Sequence, residues 1–386
     1  MEILIVSRGW PTNRDPKWGC FEKDHADALR ALGHNIKVIC LDCRFSFKSI
    51  IPKITNTIIN GIEYTSYRGI PQVITSLLFG NKIAIRIEQK MILRLYGEVV
   101  KRDFKPDVVY SHFILNSAAA SILKQYGLPL VIIEHSSELV KNKPRSIIIQ
   151  QAKTAYNAAD TLISVSDYLK NSINRRFGVN STVIPNMIGQ EFVTTLPPKQ
   201  RISTGVLRFL SIGALIPRKG YFELIRAFSK ANIKNKKWQL DIIGYGYLRR
   251  KLQILIDSLG LSSNIHLLGP KTKTEIISEM STSDIFVLNT KRETFGVVYI
   301  EALSQGIPCI MTNCGGTEGI MSHEDGLSVP VDDELALIHA IEYMACHFHE
   351  YNRNDIRQRC LDKYSPKNVA IKIENILLET IKQCET

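Results

Sequence analysis

The sequence predicts an α/β protein with two doubly wound parallel sheets, one in each half of the chain. Apolar runs of strand length alternate with helical segments, and this alternation restarts after a Pro- and Lys-containing stretch at 196–200. A length of 386 residues also allows two domains that each bury a core. We therefore predict domains at 1–190 and 191–365, followed by a helix at 366–386 with the first domain as its candidate packing partner.

Each half contains a series of strand-like runs with room for a helix between them. The runs are 3–7, 36–41, 107–111, 130–134, 161–165 and 183–185 in the first half, and 208–213, 239–244, 264–269, 284–289 and 308–312 in the second. Ligands of such sheets bind beyond the carboxyl ends of the strands. A ligand common to both domains is therefore expected in a cleft between two domains that face each other.

Composition and charge narrow the class of protein. Hydrophobic residues make up 45% and charged residues 22%, as in a soluble globular enzyme. Residues 1–190 carry 25 Lys and Arg against 15 Asp and Glu, a net charge of +10, whereas residues 191–386 carry 24 against 22, a net charge of +2. The first half is thus expected to face nucleic acid, an anionic membrane or a phosphorylated substrate.

The cysteines and the N-terminus bear on the compartment. The eight cysteines show no disulfide pattern, and Cys40 and Cys43 lack the second pair or nearby histidines that zinc requires. The first residues include Glu2 and only four consecutive apolar side chains, which predicts a strand and not a signal peptide. No run has the length of a membrane span. We predict a reduced cytoplasmic setting.

Two glutamates eight residues apart, Glu293 and Glu301, are the most informative feature of the chain. They flank a glycine-containing turn between the predicted strand at 284–289 and a predicted helix at 298–303. Free backbone N–H groups at the start of such a helix favour a diphosphate, and the two carboxylates can accept hydrogen bonds from ligand hydroxyls. This pattern indicates a sugar nucleotide, with a loop glutamate and a solvated helix glutamate as the structural alternative.

A second anion-binding element precedes the predicted helix at 221–231. Arg218 and Lys219 lie at its start, where cations oppose the helix dipole. A phosphate between them would explain their position, because Arg offers a fork of donors and Lys a point charge. The alternative is a solvated basic turn.

Ordered motifs in the second half resemble the nucleotide-sugar domain of family-4 retaining glycosyltransferases of the GT-B fold. The motifs are at 211–214, 218–220, 243–246, 268–270, 293–301, 301–308 and 315–318. The first half is similar more loosely, through Trp10 and Pro11 with Gly19, and through 31–34, 134–136 and 183–186. Trp18 and Cys20 flank Gly19, whereas many relatives carry a second glycine there, so the geometry of this loop stays open.

The resemblance implies a role for each matching residue. Arg218 and Lys219 would clamp the donor diphosphate, Glu301 would accept hydrogen bonds from the ribose, and Glu293 would contact the donor sugar. His135 would position or polarise that sugar, although a strand-end histidine bonded to a neighbouring backbone group is the alternative. Further donor-binding residues would be Gly19, Gly213, Gly244, Pro270, Lys271, Thr294, Phe295, Gly296 and Val297. The family requires neither a metal nor a cofactor besides the nucleotide-sugar donor.

The predicted function is transfer of a sugar from a UDP- or GDP-sugar to a hydroxyl of a glycan or lipid-linked glycan, with retained anomeric configuration, in cell-surface polysaccharide synthesis. A nucleotide-sugar epimerase of the same fold is an alternative, but it would need further acid–base residues. A glucan-type phosphorylase would need a lysine for pyridoxal phosphate and a far longer chain. The non-enzymatic alternative is a basic module that binds a membrane or nucleic acid.

A basic amphipathic helix is predicted between Lys82 and Arg102. Its first four cations share a face, and its apolar partners follow at helical spacing. The cations are Lys82, Arg86, Lys90 and Arg94, and the apolar residues are Ile83, Ile87, Met91 and Leu95. The helix either covers the first sheet or contacts the anionic inner face of the cell membrane. No nucleic-acid motif accompanies it, so nucleic acid is not a predicted partner.

Overall fold

The computed structural model describes residues 1–12, 15, 18–42, 53–69, 72–195, 205–233 and 237–385, without the side chains of residues 72 and 73. The chain forms two compact units: unit 1 comprises Met1–Met187 and Pro366–Thr386, and unit 2 comprises Ile188–Ser365. Each unit is built around its own mostly parallel sheet, so the predicted α/β class with two doubly wound domains is confirmed. The stretch at 196–200 and Cys43 lie outside the described residues.

The sheet of unit 1 has the strand order β3-β4-β2-β1-β5-β6-β7-β8. The strands are β1 (Glu2–Ser7), β2 (Asn35–Asp42), β3 (Lys53–Ile59), β4 (Ile62–Arg68), β5 (Val108–His112), β6 (Leu130–Glu134), β7 (Thr161–Ser164) and β8 (Thr182–Val183). Every residue of β5 and β6 is buried, as expected for parallel strands that are covered on both faces. The chain extends the sheet in both directions from β1, so β1 and β5 form its switch point.

Unit 1 also contains a hairpin that our sequence analysis did not predict. Strands β3 and β4 pair antiparallel, whereas the other described strand pairs of this sheet are parallel. They are joined by Asn60 and Gly61, whose φ angles of 50° and 72° are both positive. An Asn-Gly pair is the preferred sequence for a two-residue turn of this hand. The hairpin makes the sheet mixed at one edge.

Helices cover the faces of this sheet. They are α1 (Cys20–Ala31), α2 (Gln72–Phe79), α3 (Asn81–Val100), α4 (Ile114–Ala120), α5 (Ser146–Ala158) and α6 (Asp167–Phe177), with a short 3-10 helix at Ser121–Tyr126. The predicted basic helix is α3, and its four cations are all exposed. Met91 and Leu95 are buried as predicted, but Ile83 is 47% exposed, because the buried stripe begins at Ala84 and Ile85. The four apolar residues named from the sequence therefore do not form one buried stripe.

The sheet of unit 2 has the order β11-β10-β9-β12-β13-β14, with parallel pairing throughout its described strands. The strands are β9 (Val206–Ile212), β10 (Lys237–Ile243), β11 (Ile265–Gly269), β12 (Ile285–Leu288), β13 (Cys309–Asn313) and β14 (Gly326–Pro330). Strand β14 was not predicted, because it is short and bounded by glycine and proline at the sheet edge. The order places the switch point between β9 and β12.

The helices of unit 2 are α7 (Gln190–Thr194), α8 (Tyr221–Lys230), α9 (Arg249–Ser258), α10 (Lys273–Thr282), α11 (Val297–Ser304), α12 (Glu334–His347) and α13 (Arg353–Tyr364). Short 3-10 helices lie at Pro217–Lys219, His323–Asp325 and Phe348–Glu350. Helix α8 begins directly after the two cations singled out above, and α11 begins between the two glutamates.

The final helix, α14 (Pro366–Glu385), belongs to unit 1. It packs on α1, and its residues Val369, Ile373 and Leu377 are fully buried. Polar contacts also fix it, because Nε2 of His34 lies 2.8 Å from a carboxylate oxygen of Glu374. The chain thus returns from unit 2 to complete the core of unit 1.

Among the helices in the described residues, none combines the length and the apolar character needed to cross a membrane.

Candidate active site

The loops that follow β9 and β12 meet at the switch point of unit 2, where ligands of open parallel sheets bind. The backbone N–H of Lys291 donates to the carbonyl oxygen of Arg218 at 2.8 Å, and the hydroxyl of Thr290 donates to the same oxygen at 3.2 Å. These bonds fasten the 3-10 turn that carries Arg218 and Lys219 to the loop that carries Glu293. The two elements predicted separately from the sequence therefore form one structure.

Arg218, Lys219 and Glu293 form a group that we call the cation–carboxylate triad. Nη1 of Arg218 lies 2.9 Å from one carboxylate oxygen of Glu293, and Nζ of Lys219 lies 2.5 Å from the other. Arg218 also donates to the carbonyl oxygen of Arg292 at 2.7 Å. The Thr290 hydroxyl lies 3.1 Å from Glu293, so its single hydrogen is shared between this carboxylate and the carbonyl oxygen of Arg218. One carboxylate thus holds two cations side by side at the carboxyl end of the sheet.

Burial makes this triad electrostatically strong. Glu293 is 9% exposed, and burial by itself would raise the pKa of its carboxyl group. The adjacent charges of Lys219 and Arg218 outweigh burial and hold that pKa below its usual value, so the carboxylate is ionised near neutral pH. Two cations against one anion leave the triad with a net charge of +1. It is therefore suited to a further negative group.

The two cations differ in exposure. The Lys219 side chain is only 12% exposed, against 30% for Arg218. Lys219 runs beside Gly213, where an added Cβ would be 3.4 Å from its Cδ and Cε atoms, and its Nζ is held by Glu293. Lys219 is therefore a preorganised charge, whereas Arg218 retains more room to turn toward a ligand.

Glycines allow the backbone to approach closely around the triad. Gly220 has a φ of 66°, and a Cβ there would lie 1.8 Å from the carbonyl oxygen of Asn289. Gly244 has a φ of 150°, and a Cβ there would lie 1.9 Å from the carbonyl oxygen of Gly213. Side chains at these positions would therefore separate the loops that the site requires.

The loop between the two glutamates leads into the N-terminus of α11. Gly296 precedes this helix with a φ of 97°, and no side chain caps its first N–H groups. Phe295 is buried and meets the ring of Tyr364 edge-on at 5.8 Å, which anchors the loop, while Thr294 and Val297 are half-buried. Glu301 is the fifth residue of α11 and is half-buried, about one turn into the helix.

Pro270 and Lys271 follow β11 at the far side of the sheet. Pro270 is exposed, and Nζ of Lys271 lies 2.9 Å from a carboxylate oxygen of Glu279 in α10. The hydrogen bond to Glu279 raises the pKa of Lys271, which keeps its charge. In the described structure this lysine therefore pairs with α10, and its predicted role in donor binding stays a prediction.

In unit 1, His135 follows β6 and is 5% exposed. Its Nδ1 lies 2.8 Å from the side-chain oxygen of Asn186, so its partner is a side chain and not the backbone group of the structural alternative. Its ring stacks on Phe21 with centroids 5.1 Å apart. Burial lowers the pKa of His135 to about 4, so the imidazole is neutral at pH 7 and can polarise a ligand only through hydrogen bonds.

Two further histidines that our sequence analysis missed surround His135. The ring of His112 is stacked 5.5 Å away, and that of His25 lies edge-on at 5.9 Å. Both are fully buried, and burial lowers the pKa of each, so both are neutral. Neither ring nitrogen of His112 has a hydrogen-bond partner among the described residues. The position of His112 at the end of β5 was the signal available in the sequence.

Glutamate and arginine side chains flank the same region of unit 1. Nε of Arg8 lies 2.8 Å from Glu22, and its guanidinium group lies 3.5 Å from the centre of the Phe113 ring. Glu134, which precedes His135, accepts hydrogen bonds from the backbone N–H groups of His135 and Ser136, and burial raises its pKa to about 7.

Gly19, the residue before α1, has a φ of 72°. It lies against Gly9, because a Cβ added at Gly19 would be 2.1 Å from the carbonyl oxygen of Gly9.

A cavity of about 440 Å³ opens beside this region, at the carboxyl ends of β1 and β2 and next to the unpredicted hairpin. Its lining includes Trp10, Trp18, Asp42, Thr55, Ser66 and Arg68. Aromatic faces combined with hydroxyl and charged groups suit a polar ligand with apolar surfaces.

Nowhere in the described ranges do three His, Cys, Asp or Glu side chains group so that they could hold a metal ion.

Two family models match the chain in succession. Residues 23–191 match Glycosyltransferase Family 4, and residues 193–346 match Glycosyl transferases group 1. The matches correspond to the two units and together include Lys219, Glu293 and His135. The chain therefore belongs to the family-4 glycosyltransferases of the GT-B fold.

Individual proteins agree with this assignment. The chain is 30% identical over 268 residues to an uncharacterized glycosyltransferase, MJ1059, of Methanocaldococcus jannaschii, a match that covers 63% of this chain and 65% of the relative. It is 25% identical over 371 residues to TuaC of Bacillus subtilis, provisionally named a teichuronic acid biosynthesis glycosyltransferase, with 88% of each chain covered. Sucrose-phosphate synthase from Thermosynechococcus elongatus shares the fold with a TM-score of 0.77 at 17% identity, and 99% of each chain is covered.

Proposed function

We propose that the protein is a retaining, metal-independent glycosyltransferase that moves a hexose-type sugar from a UDP- or GDP-sugar to a hydroxyl of a glycan or lipid-linked glycan. The cation–carboxylate triad at the switch point of unit 2 carries this proposal. Its net charge of +1 and its position at the carboxyl end of the sheet suit a diphosphate. The first N–H groups of α11, which no side chain caps, supply further donors for the same ligand.

In the proposed reaction the bond between the anomeric carbon and the diphosphate oxygen breaks. The leaving phosphate gains negative charge, which Arg218 and Lys219 stabilise because they are already in place. The same phosphate takes the proton of the acceptor hydroxyl while the acceptor oxygen bonds to the anomeric carbon on the face that the phosphate leaves. The anomeric configuration is therefore retained.

Glu293 has two functions in this account. It keeps both cations in position, and it contacts the donor sugar, as the resemblance implies. Glu301 accepts hydrogen bonds from the ribose, and the backbone around Gly213, Gly244 and Gly296 permits close approach of the nucleotide. Neutral His135 positions or polarises the donor sugar, and Gly19 leaves room for the diphosphate.

We further propose that the cavity in unit 1 receives the acceptor. Trp10 and Trp18 offer apolar faces for sugar rings, while Asp42, Thr55 and Arg68 offer groups that can bond to hydroxyls. The name of TuaC supports cell-surface polysaccharide synthesis as the biological context. A lipid-linked acceptor would also account for the +10 charge of residues 1–190, since the protein would then work in the cytoplasm at the inner face of the membrane.

The competing functions have weaker support. A nucleotide-sugar epimerase could use the same donor site, but the proposal for the transferase also accounts for the acceptor cavity in unit 1. A non-enzymatic basic module would explain the charge of the first half. It would not explain a triad in which one buried carboxylate holds two cations.

Product analysis tests the reaction directly. We expect NMR of the newly formed anomeric proton to show the configuration of the donor sugar, in reactions with and without excess EDTA, because the two cations replace a divalent ion. An inverted product would contradict the proposed mechanism. Loss of activity in EDTA that magnesium or manganese restores would show that a metal neutralises the diphosphate.

A further inference from the structure

Four large apolar side chains project into solvent where α2 meets α3. The exposed fractions are 84% for Leu77, 65% for Leu78, 53% for Phe79 and 47% for Ile83. We call these four residues the apolar corner. They lie within seven positions of one another, and three of them are consecutive in the chain. A cluster of this kind on a soluble protein marks an interaction surface.

The backbone of the apolar corner is well defined. The N–H of Gly80 donates to the carbonyl oxygen of Ser76 at 2.9 Å, and the N–H of Ala84 donates to that of Gly80 at 3.1 Å. The side chains of Ser76 and Asn81 are hydrogen-bonded to each other, and Asn81 also donates to the hydroxyl of Ser146 in α5 at 3.5 Å. The apolar side chains thus project from two hydrogen-bonded helices and the short turn between them, and not from an unanchored loop.

A row of cations adjoins the apolar corner. Lys82, Arg86, Lys90 and Arg94 are exposed on one face of α3 at four-residue intervals, which spans about 18 Å along the helix. Within the part of the chain that the structure describes, none of the four takes part in an ion pair. We call these residues the cationic row. Its charges are uncompensated, and its first member lies next to Ile83.

We propose that the apolar corner and the cationic row together form a docking surface for an anionic lipid bilayer. Leu77, Leu78 and Phe79 enter the boundary between headgroups and acyl chains, and the cationic row contacts the lipid phosphates. Amphipathic surfaces bind bilayers through this combination of apolar burial and electrostatic attraction. This inference takes the existence of an acceptor from the proposed function, on which it rests. It deepens that function because a membrane-borne acceptor would then lie beside unit 1.

Charge distinguishes a bilayer from the other possible occupants. A symmetric contact with a second copy of the chain would bring two cationic rows toward each other, which is repulsive. Nucleic acid would attract the cationic row but would leave Leu77, Leu78 and Phe79 without an apolar partner. An anionic bilayer matches both parts of the surface.

Co-sedimentation of the protein with lipid vesicles tests this docking surface. Vesicles of phosphatidylcholine alone are compared with vesicles that also contain phosphatidylglycerol, at low and high salt. The apolar variant combines Leu77→Ser, Leu78→Ser and Phe79→Ser, and the cationic variant combines Lys82→Gln, Arg86→Gln, Lys90→Gln and Arg94→Gln. The matched control is Leu335→Ser, because Leu335 is 67% exposed in unit 2 beside Asp333 and Glu334.

We expect wild type and the control to bind the anionic vesicles, and each of the two surface variants to bind more weakly by at least about tenfold. Residual binding of the apolar variant should disappear at high salt, because only electrostatic attraction remains, whereas that of the cationic variant should be insensitive to salt. Circular dichroism melting verifies that each variant is folded, since all of the substituted side chains are solvent-facing.

Three outcomes would overturn the docking surface: no difference between the two lipids for wild type at low salt, full vesicle binding by the apolar variant, or full vesicle binding by the cationic variant. Analytical ultracentrifugation supplies a further check, since conversion of a dimer to a monomer by the apolar substitutions, with vesicle binding intact, would identify an interface between copies. Vesicle binding needs no turnover. A wild-type protein that binds anionic vesicles but no nucleotide would therefore contradict the proposed function alone.

Discussion

Replacement of Arg218 or Lys219 by alanine should slow sugar transfer by about two to three orders of magnitude, because each variant loses a preorganised charge beside the leaving group. Steady-state kinetics at saturating donor measure the effect. The loss should appear in kcat, since the cations interact most strongly with the charge that develops as the phosphate leaves. A folded variant of either residue with near-normal turnover would exclude the proposed diphosphate clamp.

Lys291→Ala is the matched control for these variants. Lys291 is a neighbouring lysine that pairs with Glu223 and Asp332, and its side chain forms no ion pair with Glu293 in the described structure. Its backbone N–H, which bonds to Arg218, is unaffected by the substitution. We expect turnover of this variant to stay within a few-fold of wild type. Thermal melting must accompany Lys219→Ala, because Lys219 is mostly buried and its loss removes one partner of Glu293.

Glu293→Gln should reduce turnover about a hundredfold without weakening the binding of free UDP or GDP. The amide removes the charge that holds Arg218 and Lys219 together, so the cations are misplaced for the reaction. It also removes an anion that competes with the diphosphate, so nucleotide affinity does not fall. The unfolding free energy should drop by about 3 kcal/mol, since Lys219 loses a closely paired carboxylate in a largely buried site.

The comparison variants for this prediction are Glu301→Ala and Glu223→Gln. Glu301→Ala should chiefly weaken nucleotide binding, because a ribose contact is made equally in the ground and transition states. Glu223→Gln removes an exposed partner of Lys291 and should leave both turnover and affinity unchanged. If Glu293→Gln and Glu301→Ala lost nucleotide affinity equally, the two glutamates would not have the separate roles proposed for them.

The fold and the individual elements of the site were accessible from local sequence patterns. The strand-like runs, the cations before α8 and the glutamates around α11 are each defined by residues close together in the chain. The hairpin β3–β4 could also have been predicted, because Asn60 and Gly61 separate two β-branched and aromatic segments. Which apolar residues of α3 are buried could not be predicted, because a helical stripe wide enough to include Ile83 fits the sequence as well as the narrower stripe that is buried.

Other parts of the site depend on tertiary packing and could not be predicted. The pairing of Lys219 with Glu293 joins residues 74 positions apart, and it follows from the adjacency of β9 and β12 in the sheet. The two histidines around His135 come from α1 and from the end of β5, whereas His135 itself follows β6. Their burial and neutrality follow from how these elements pack, which sequence spacing does not reveal.

The account rests on the claim that the cation–carboxylate triad binds the diphosphate of a nucleotide. Titration calorimetry of UDP and GDP with wild type, Arg218→Ala, Lys219→Ala and Lys291→Ala tests it most directly. We expect wild type and Lys291→Ala to bind at least one of the two nucleotides with equal affinity. Arg218→Ala and Lys219→Ala should each bind that nucleotide at least about tenfold more weakly, because each loses a charge-assisted hydrogen bond. Undiminished affinity in both triad variants, or no binding of either nucleotide to wild type, would contradict the claim.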